Sequence, residues 1–139
     1  MPKRFTLGKK ERLKSRKQIE KLFEQGKSFT LTPFRTTFLV DTKVLITNNK
    51  TVLQFGIGVS NKNFKKAVDR NRIKRLTREA WRLQKNELNE KLRFNNKQLN
   101  VFLIYIGKEL PEFVTVKEKV NLVLKKLDQI INENNSKTS

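Results

Sequence analysis

The chain has 139 residues, with 32 Lys and Arg against 13 Asp and Glu, no Cys, no His, and a formal net charge of +19. That length suits one domain around one core, and so much like charge opposes compaction and calls for an anionic partner, nucleic acid first and a membrane surface second. Without Cys or His there are no disulfides, zinc ribbons, thiol nucleophiles, Ser-His-Asp triads or His-ligated metals.

Residues 1–14 read as a basic N-terminal arm in which Phe5, Leu7 and Leu13 are apolar docking points. The chain start lacks the apolar segment of a secretory signal and no apolar run is long enough to span a bilayer, so a cytoplasmic protein without a membrane partner is expected. Ser15 with Gln18 forms a capping-box pattern, Ile19, Leu22 and Phe23 form a helical stripe, and Gly26 is placed as a C′ residue. A first helix over about 16–25 follows. Phe34 to Val40 reads as a strand, Lys43 to Thr47 as a further short one, and Val52 to Ser60 as another after the turn at Asn48-Asn49-Lys50. In the last of these, Gly56 and Gly58 alternate with Phe55, Ile57 and Val59. Strand glycines mark either the close approach of another group or a bend, and both readings stay open. A basic helix is predicted over about 68–86, continuing weakly to Leu92, then a loop from Arg93 to Gln98. Leu99 to Ile106 is an apolar run expected of a strand buried on both faces. Thr115 with Glu118 caps a last helix to about 133, and residues 134–139 are expected to be a flexible tail. The order α-β-β-β-α-β-α predicts a single α+β sandwich over 1–139, a mixed sheet of about four strands with helices packed on it.

From Lys62 to Lys85 there are ten basic residues and two acidic ones, Asp69 and Glu79. On a helical wheel Ile73, Leu76, Ala80 and Leu83 form the apolar side. Arg70, Lys74, Arg78 and Lys85 fall opposite with Asn71 beside them, while Arg72, Arg75 and Arg82 lie on the flank. Trp81 is either core or a stacking surface for a base. Like charges at i, i+4 and i+8, and cations near a helix N-terminus, both disfavour the helix itself, which points to a ligand that repays them. Local ion pairs such as Arg75 with Glu79 are the plainer explanation, but two acids cannot neutralise ten cations. Guanidinium forks bind phosphate bidentately, Lys74 adds a point charge, and Asn71 can donate to a phosphate, a sugar or a base edge. Lys62, Lys65 and Lys66 extend the patch. Gly26-Lys27-Ser28 ends like a P-loop, but Lys21 stands where the first glycine is needed and the flanking helix and strand are in reversed order. Asp41, Asp69 and Asp128 form no recognisable metal cluster.

Gly58-Val59-Ser60-Asn61-Lys62, followed by Lys66-Ala67-Val68-Asp69-Arg70-Asn71-Arg72-Ile73-Lys74-Arg75-Leu76-Thr77-Arg78-Glu79-Ala80-Trp81-Arg82, resembles the protein subunit of bacterial ribonuclease P. Glu11-Arg12-Leu13-Lys14, Leu22-Phe23 and Gly26-Lys27-Ser28 echo the same family upstream, so that the resemblance spans about residues 9–131. It implies a left-handed β-α-β crossover around the basic helix, against the usual rule. It implies an RNA-binding accessory subunit of an endoribonuclease that removes the 5′ leader from precursor tRNA by phosphodiester hydrolysis. Catalysis would lie on the RNA subunit and its Mg²⁺, with no catalytic residue here and no obligate protein partner. The protein would bind the leader, neutralise phosphate crowding and strengthen Mg²⁺ binding by the RNA. By position, Arg70, Asn71, Arg72, Lys74, Arg75 and Arg78 would contact the catalytic RNA with Lys62, Lys65 and Lys66 beside them. Phe23, Phe34, Ile19 and Thr37 would line a cleft for the leader. Ile19 stands where the family usually has Phe, and Thr37 where Tyr is common, so stacking on the leader is either weaker or taken over by Phe34 or another aromatic. A ribosomal or assembly protein of similar fold and charge, without a nuclease partner, is the alternative.

Overall fold

The computed structural model describes residues 9–42 and 51–137; the strand expected over Lys43–Thr47 and the turn after it lie outside them. After a 3-10 turn at Lys9–Glu11 come α1 (Arg16–Gln25), β1 (Lys27–Leu31), β2 (Phe34–Asp41) and β3 (Leu53–Val59). Then follow α2 (Ala67–Gln84), α3 (Asn86–Phe94), β4 (Gln98–Tyr105) and α4 (Phe113–Lys137). The strands form one sheet in the order β1-β2-β4-β3. β1 and β4 each pair antiparallel with β2, whereas β3 and β4 are parallel. Parallel neighbours need a crossover, and α2 with α3 is that crossover. The α+β class with a mixed four-stranded sheet is as expected.

Ser15 caps α1 by accepting the Gln18 N–H at 3.4 Å. Gly26 ends the helix in extended conformation, φ −78°, so the left-handed cap is not its role. A Cβ there would collide with the Leu22 carbonyl oxygen and lie 2.7 Å from that of Phe38. Glycine is needed for room. The chain then enters β1, where no strand was expected. Lys27, Ser28 and Thr30 are exposed and only Phe29 and Leu31 meet the core, an edge strand with too little apolar pattern to stand out. The single basic helix is two helices broken at Lys85, whose buried side chain pairs with Glu11. α3 reaches Phe94, inside the segment expected to be a loop. α4 begins before Thr115 and continues to Lys137, so the tail expected to be flexible from 134 is helical to that residue.

Register divides the sheet into two faces. Phe34, Thr36, Phe38 and Val40 of β2 align with Tyr105, Leu103, Val101 and Leu99 of β4, and those with Val59, Ile57, Phe55 and Leu53 of β3. α2 and α4 build the core with this face. Trp81 is fully buried there, its ring stacked on Phe55 at 4.2 Å and 14°, which settles its place as core. The other face carries Arg35, Thr37 and Leu39, then Ile104, Phe102 and Asn100, then Gly58, Gly56 and Gln54. α1 lies over part of it with Leu22 buried. β4 therefore alternates, its Phe102 and Ile104 only partly buried, contrary to the expectation of burial on both faces.

Trp81→Ala is expected to lower stability by about 3–5 kcal/mol. Phe94→Ser, at a position 87% exposed, should change it by less than about 0.5 kcal/mol. Urea denaturation followed by circular dichroism measures both, and equal effects would contradict this placement of the core.

Candidate nucleic-acid interface

The buried face of α2 is Ile73, Thr77, Ala80 and Trp81, not the predicted seam of Ile73, Leu76, Ala80 and Leu83. Leu76 is partly buried and Leu83 is 44% exposed. Thr77 fits the core because its hydroxyl donates to the Ile73 carbonyl at 2.8 Å, so its own buried donor is satisfied. The helix is thus rolled a fraction of a turn from the expected angle. Asn71, Arg72 and Arg75 face solvent, while Arg70, Lys74 and Arg78 are partly buried on a flank rather than outermost.

These cations have different duties. Arg70 Nη1 donates to the carbonyls of Phe64 and Lys65, both at 2.8 Å, which ties the first turn of α2 to the preceding loop. That loop is itself fastened. Phe64 is buried against Tyr105, its N–H donates to Ser60 O at 3.2 Å, and Ser60 Oγ accepts the Lys62 N–H at 3.1 Å. Asn63 Nδ2 reaches the carbonyls of Ile106 and Gly107. Lys62, Lys65 and Lys66 on this loop are exposed. Glu79 pairs with Arg82 rather than with Arg75. Burial lowers the pKa of the Lys85 ammonium below its ordinary value, although the side chain pairs with the Glu11 carboxylate. Burial, and then the charge of Arg12, lowers Arg78 as well. Asn71, Arg72, Arg75 and the three loop lysines have no side-chain hydrogen bond or ion pair among the described residues. They form an exposed cationic surface mounted on fastened backbone.

A second surface lies on the other face of the sheet. Phe23 of α1, 45% exposed, meets Phe102 edge to face with centroids 5.4 Å apart. The Phe102 ring rests over the two β3 glycines. A Cβ at Gly56 would come within 2.6 Å of the ring and one at Gly58 within 3.1 Å, and the former would also lie 3.2 Å from the Leu13 carbonyl oxygen. Close approach, not a bend, is what these glycines permit. Thr37, in register with Phe102, is buried as floor beneath α1, and Ile19 is partly buried on the helix above. Beyond them Arg35 is exposed beside Ile104.

Phe34 does not belong to this cleft. It is fully buried on the opposite face, its ring 5.6 Å from that of Tyr105. The aromatic beside Phe23 on this face is Phe102 instead. The unbroken apolar run around it hid its parity, but two glycines on alternate positions of a neighbouring strand signal room for a ring. Arg35 was also missed, although it shares a strand face with Thr37.

Among the described residues no three His, Cys, Asp or Glu side chains converge to hold a metal ion. None of their helices is long and apolar enough to cross a membrane.

A family model described as Ribonuclease P matches residues 7–128. The ribonuclease P protein component of Porphyromonas gingivalis strain W83 is 36% identical over 115 residues, covering 83% of this chain and 81% of that protein. The component from Chlorobium phaeobacteroides is 30% identical over 126 residues, covering 86% of each. Among solved structures, the RNase P protein from Thermotoga maritima superposes with a TM-score of 0.62 at 30% identity, covering 84% of this chain and 96% of that one. The Staphylococcus aureus RNase P protein has the same fold, with a TM-score of 0.63 at 20% identity and coverage of 84% and 94%.

Removing Arg70 and removing its outward neighbours should have separable effects. Arg70→Ala is expected to lower stability by about 1–2 kcal/mol through loss of its two carbonyl bonds. The double change Arg72→Ala with Arg75→Ala should leave the urea midpoint in place and reduce affinity for labelled RNA. It should also flatten the dependence of log affinity on log salt by about 1–2. Fluorescence anisotropy in a salt series, run beside urea melts, tests this. RNA binding unchanged in the double variant would remove α2 from the interface.

Proposed function

This chain belongs to the ribonuclease P protein family, and from that premise we propose that it is the RNA-binding accessory subunit of a ribonuclease P that removes 5′ leaders from precursor tRNA. The observation that carries this reading is the exposed row Arg72, Arg75, Lys62, Lys65 and Lys66 with Asn71 among them, cations without partners among the described residues on backbone held in place. These groups meet the phosphates of the catalytic RNA. Guanidinium forks take phosphate oxygens in pairs, and the lysines lower the local potential.

The cleft on the other face takes the single-stranded leader. Phe23 and Phe102 offer aromatic edges to bases, Ile19 and Thr37 bound the floor and Arg35 offers a cation at its open end. Base stacking is tolerant of sequence, which suits leaders that differ from one tRNA to another. Phosphodiester hydrolysis belongs to the RNA subunit and its Mg²⁺. This chain's contribution is neutralisation of crowded phosphates, so that the RNA holds Mg²⁺ at lower concentration.

Reconstitution tests the assignment. Added to a ribonuclease P RNA at low Mg²⁺, the chain is expected to restore 5′-leader removal from precursor tRNA, and the chain alone should cleave nothing. No restoration, or metal-dependent cleavage without RNA, would overturn the accessory role. Phe23→Ala should weaken binding of leader-bearing substrate relative to leaderless tRNA by about tenfold, the size of one lost stacking contact. An equal loss on both substrates would remove Phe23 from the leader site.

A further inference from the structure

Arg70, Lys74, Arg78 and Lys85 run along one flank of α2, and protein occupies both ends of the row: Arg70 by the loop carbonyls, Lys85 by Glu11. The middle pair, Lys74 and Arg78, has no hydrogen-bond or ion-pair partner among the described residues. What faces Arg78 is another cation. The segment before α1 follows the free edge of β3, with Arg12 bridged to Phe55, the Leu13 N–H donating to Phe55 O at 2.8 Å, and Gln54 Nε2 donating to Lys10 O at 2.9 Å. The Phe55 ring is stacked on Trp81, less than a turn beyond Arg78 along α2. Glu11, next to Arg12, is paired with Lys85, about two turns beyond Arg78 on the same side of the helix. Backbone and side-chain ties on both sides of Arg12 thus hold it against the flank that carries Arg78, where its charge acts on the Arg78 guanidinium. No carboxylate pairs with either among the described residues. Two like charges held together, one of them partly buried, cost free energy that a bound anion would recover.

We propose that Arg12 and Arg78 form a clamp for one phosphodiester group of a single-stranded RNA, at the rim of β3. It rests on the reading above that the chain binds RNA, and it adds a contact between the two surfaces already described. The position favours a strand leaving the cleft. Leu13, beside Arg12, closes over Gly56 at the cleft floor, while Arg78 belongs to the helix whose outward side carries Arg72 and Arg75. A chain that lies over Phe102 and Phe23 and turns toward α2 crosses this rim. Two guanidinium forks can share the free oxygens of one phosphate, and Lys74 stands one turn back along α2 for the next.

The full-length chain and a fluorescein-labelled single-stranded oligouridylate test the clamp by anisotropy over a salt series. Arg12→Gln and Arg78→Gln are each expected to weaken binding about tenfold, and the double variant little more than either single one, because both forks serve one phosphate. The salt slope should fall by about one phosphate contact in all three variants. The urea midpoint of free Arg12→Gln should hold or rise, since a like-charge contact is removed. Unchanged binding in either single variant, losses that multiply in the double, or a lowered midpoint in Arg12→Gln would each overturn the clamp. Phe23→Ala separates the two readings. If it weakens binding while Arg12→Gln does not, the clamp alone fails; if the unaltered chain does not bind the strand, the RNA-binding reading fails and takes the clamp with it.

Discussion

Trp81 lies flat on Phe55 in the middle of the core, and this stack sets the angle at which α2 rolls onto the sheet. The competing angle would bury Leu76 and Leu83 and lift the indole toward solvent. Area decides between them. A buried indole removes about 150–250 Å² from water, which at about 25 cal/mol per Å² is about 4–6 kcal/mol. A leucine contributes about half of that. At the observed angle Leu76 stays partly buried and Leu83 is only 44% exposed, so the two leucines forgo less than the indole gains. With Trp81 inside, Asn71, Arg72 and Arg75 must face out, Arg70 comes within reach of the Phe64 and Lys65 carbonyls, and Lys85 comes within reach of Glu11. The helix's polar duties follow from an apolar contact.

A similar dependence runs through the other face of the sheet. Phe102 can lie across β3 only because Gly56 and Gly58 leave room for its ring, and Phe23 can remain partly exposed only because it rests on Phe102. An aromatic held at its edge by a neighbouring ring loses little further freedom when a base stacks on it, so less binding energy is spent on ordering the side chain. The glycines shape the cleft at one remove. The Leu13 backbone, packed beside Gly56, couples the N-terminal strap to the same floor.

Much of this was legible in the sequence where a local pattern carried the information. Ser15, Gln18 and the stripe Ile19, Leu22, Phe23 placed α1 to the residue, and the density of cations around Arg70 marked the helix proposed to meet RNA. What failed was information that belongs to pairs of elements. β1 is an edge whose partner supplies most of its reason to be a strand. The roll of α2 depends on which apolar residue is largest, whereas a wheel weights them alike. Assigning Phe34 and Thr37 to one cleft was an avoidable error, because residues three apart on a strand point to opposite faces. The role of Arg12 was hidden for a different reason: it arises from the strap lying along β3, a long-range pairing with no local signature.

The distribution of acids explains why so basic a chain still folds. The ion pairs sit at Arg16 with Glu20, Arg82 with Glu79, Lys85 with Glu11 and Lys91 with Asp128. None of these lies in the loop before α2 or in its first three turns, where Asp69 is the lone acid and sits in the first turn, favoured by the helix dipole. Charge is therefore compensated within α1, at the end of α2 and at two contacts between elements, and left open where RNA is proposed to bind. Salt should then act in opposite senses on the two equilibria. Screening relieves the repulsion among Arg72, Arg75, Lys62, Lys65 and Lys66 and so favours the folded free chain. It also weakens the gain from releasing counterions off the RNA, and so disfavours the complex. A single uncompensated surface produces both effects, which is why the free protein and its complex are expected to prefer different ionic strengths.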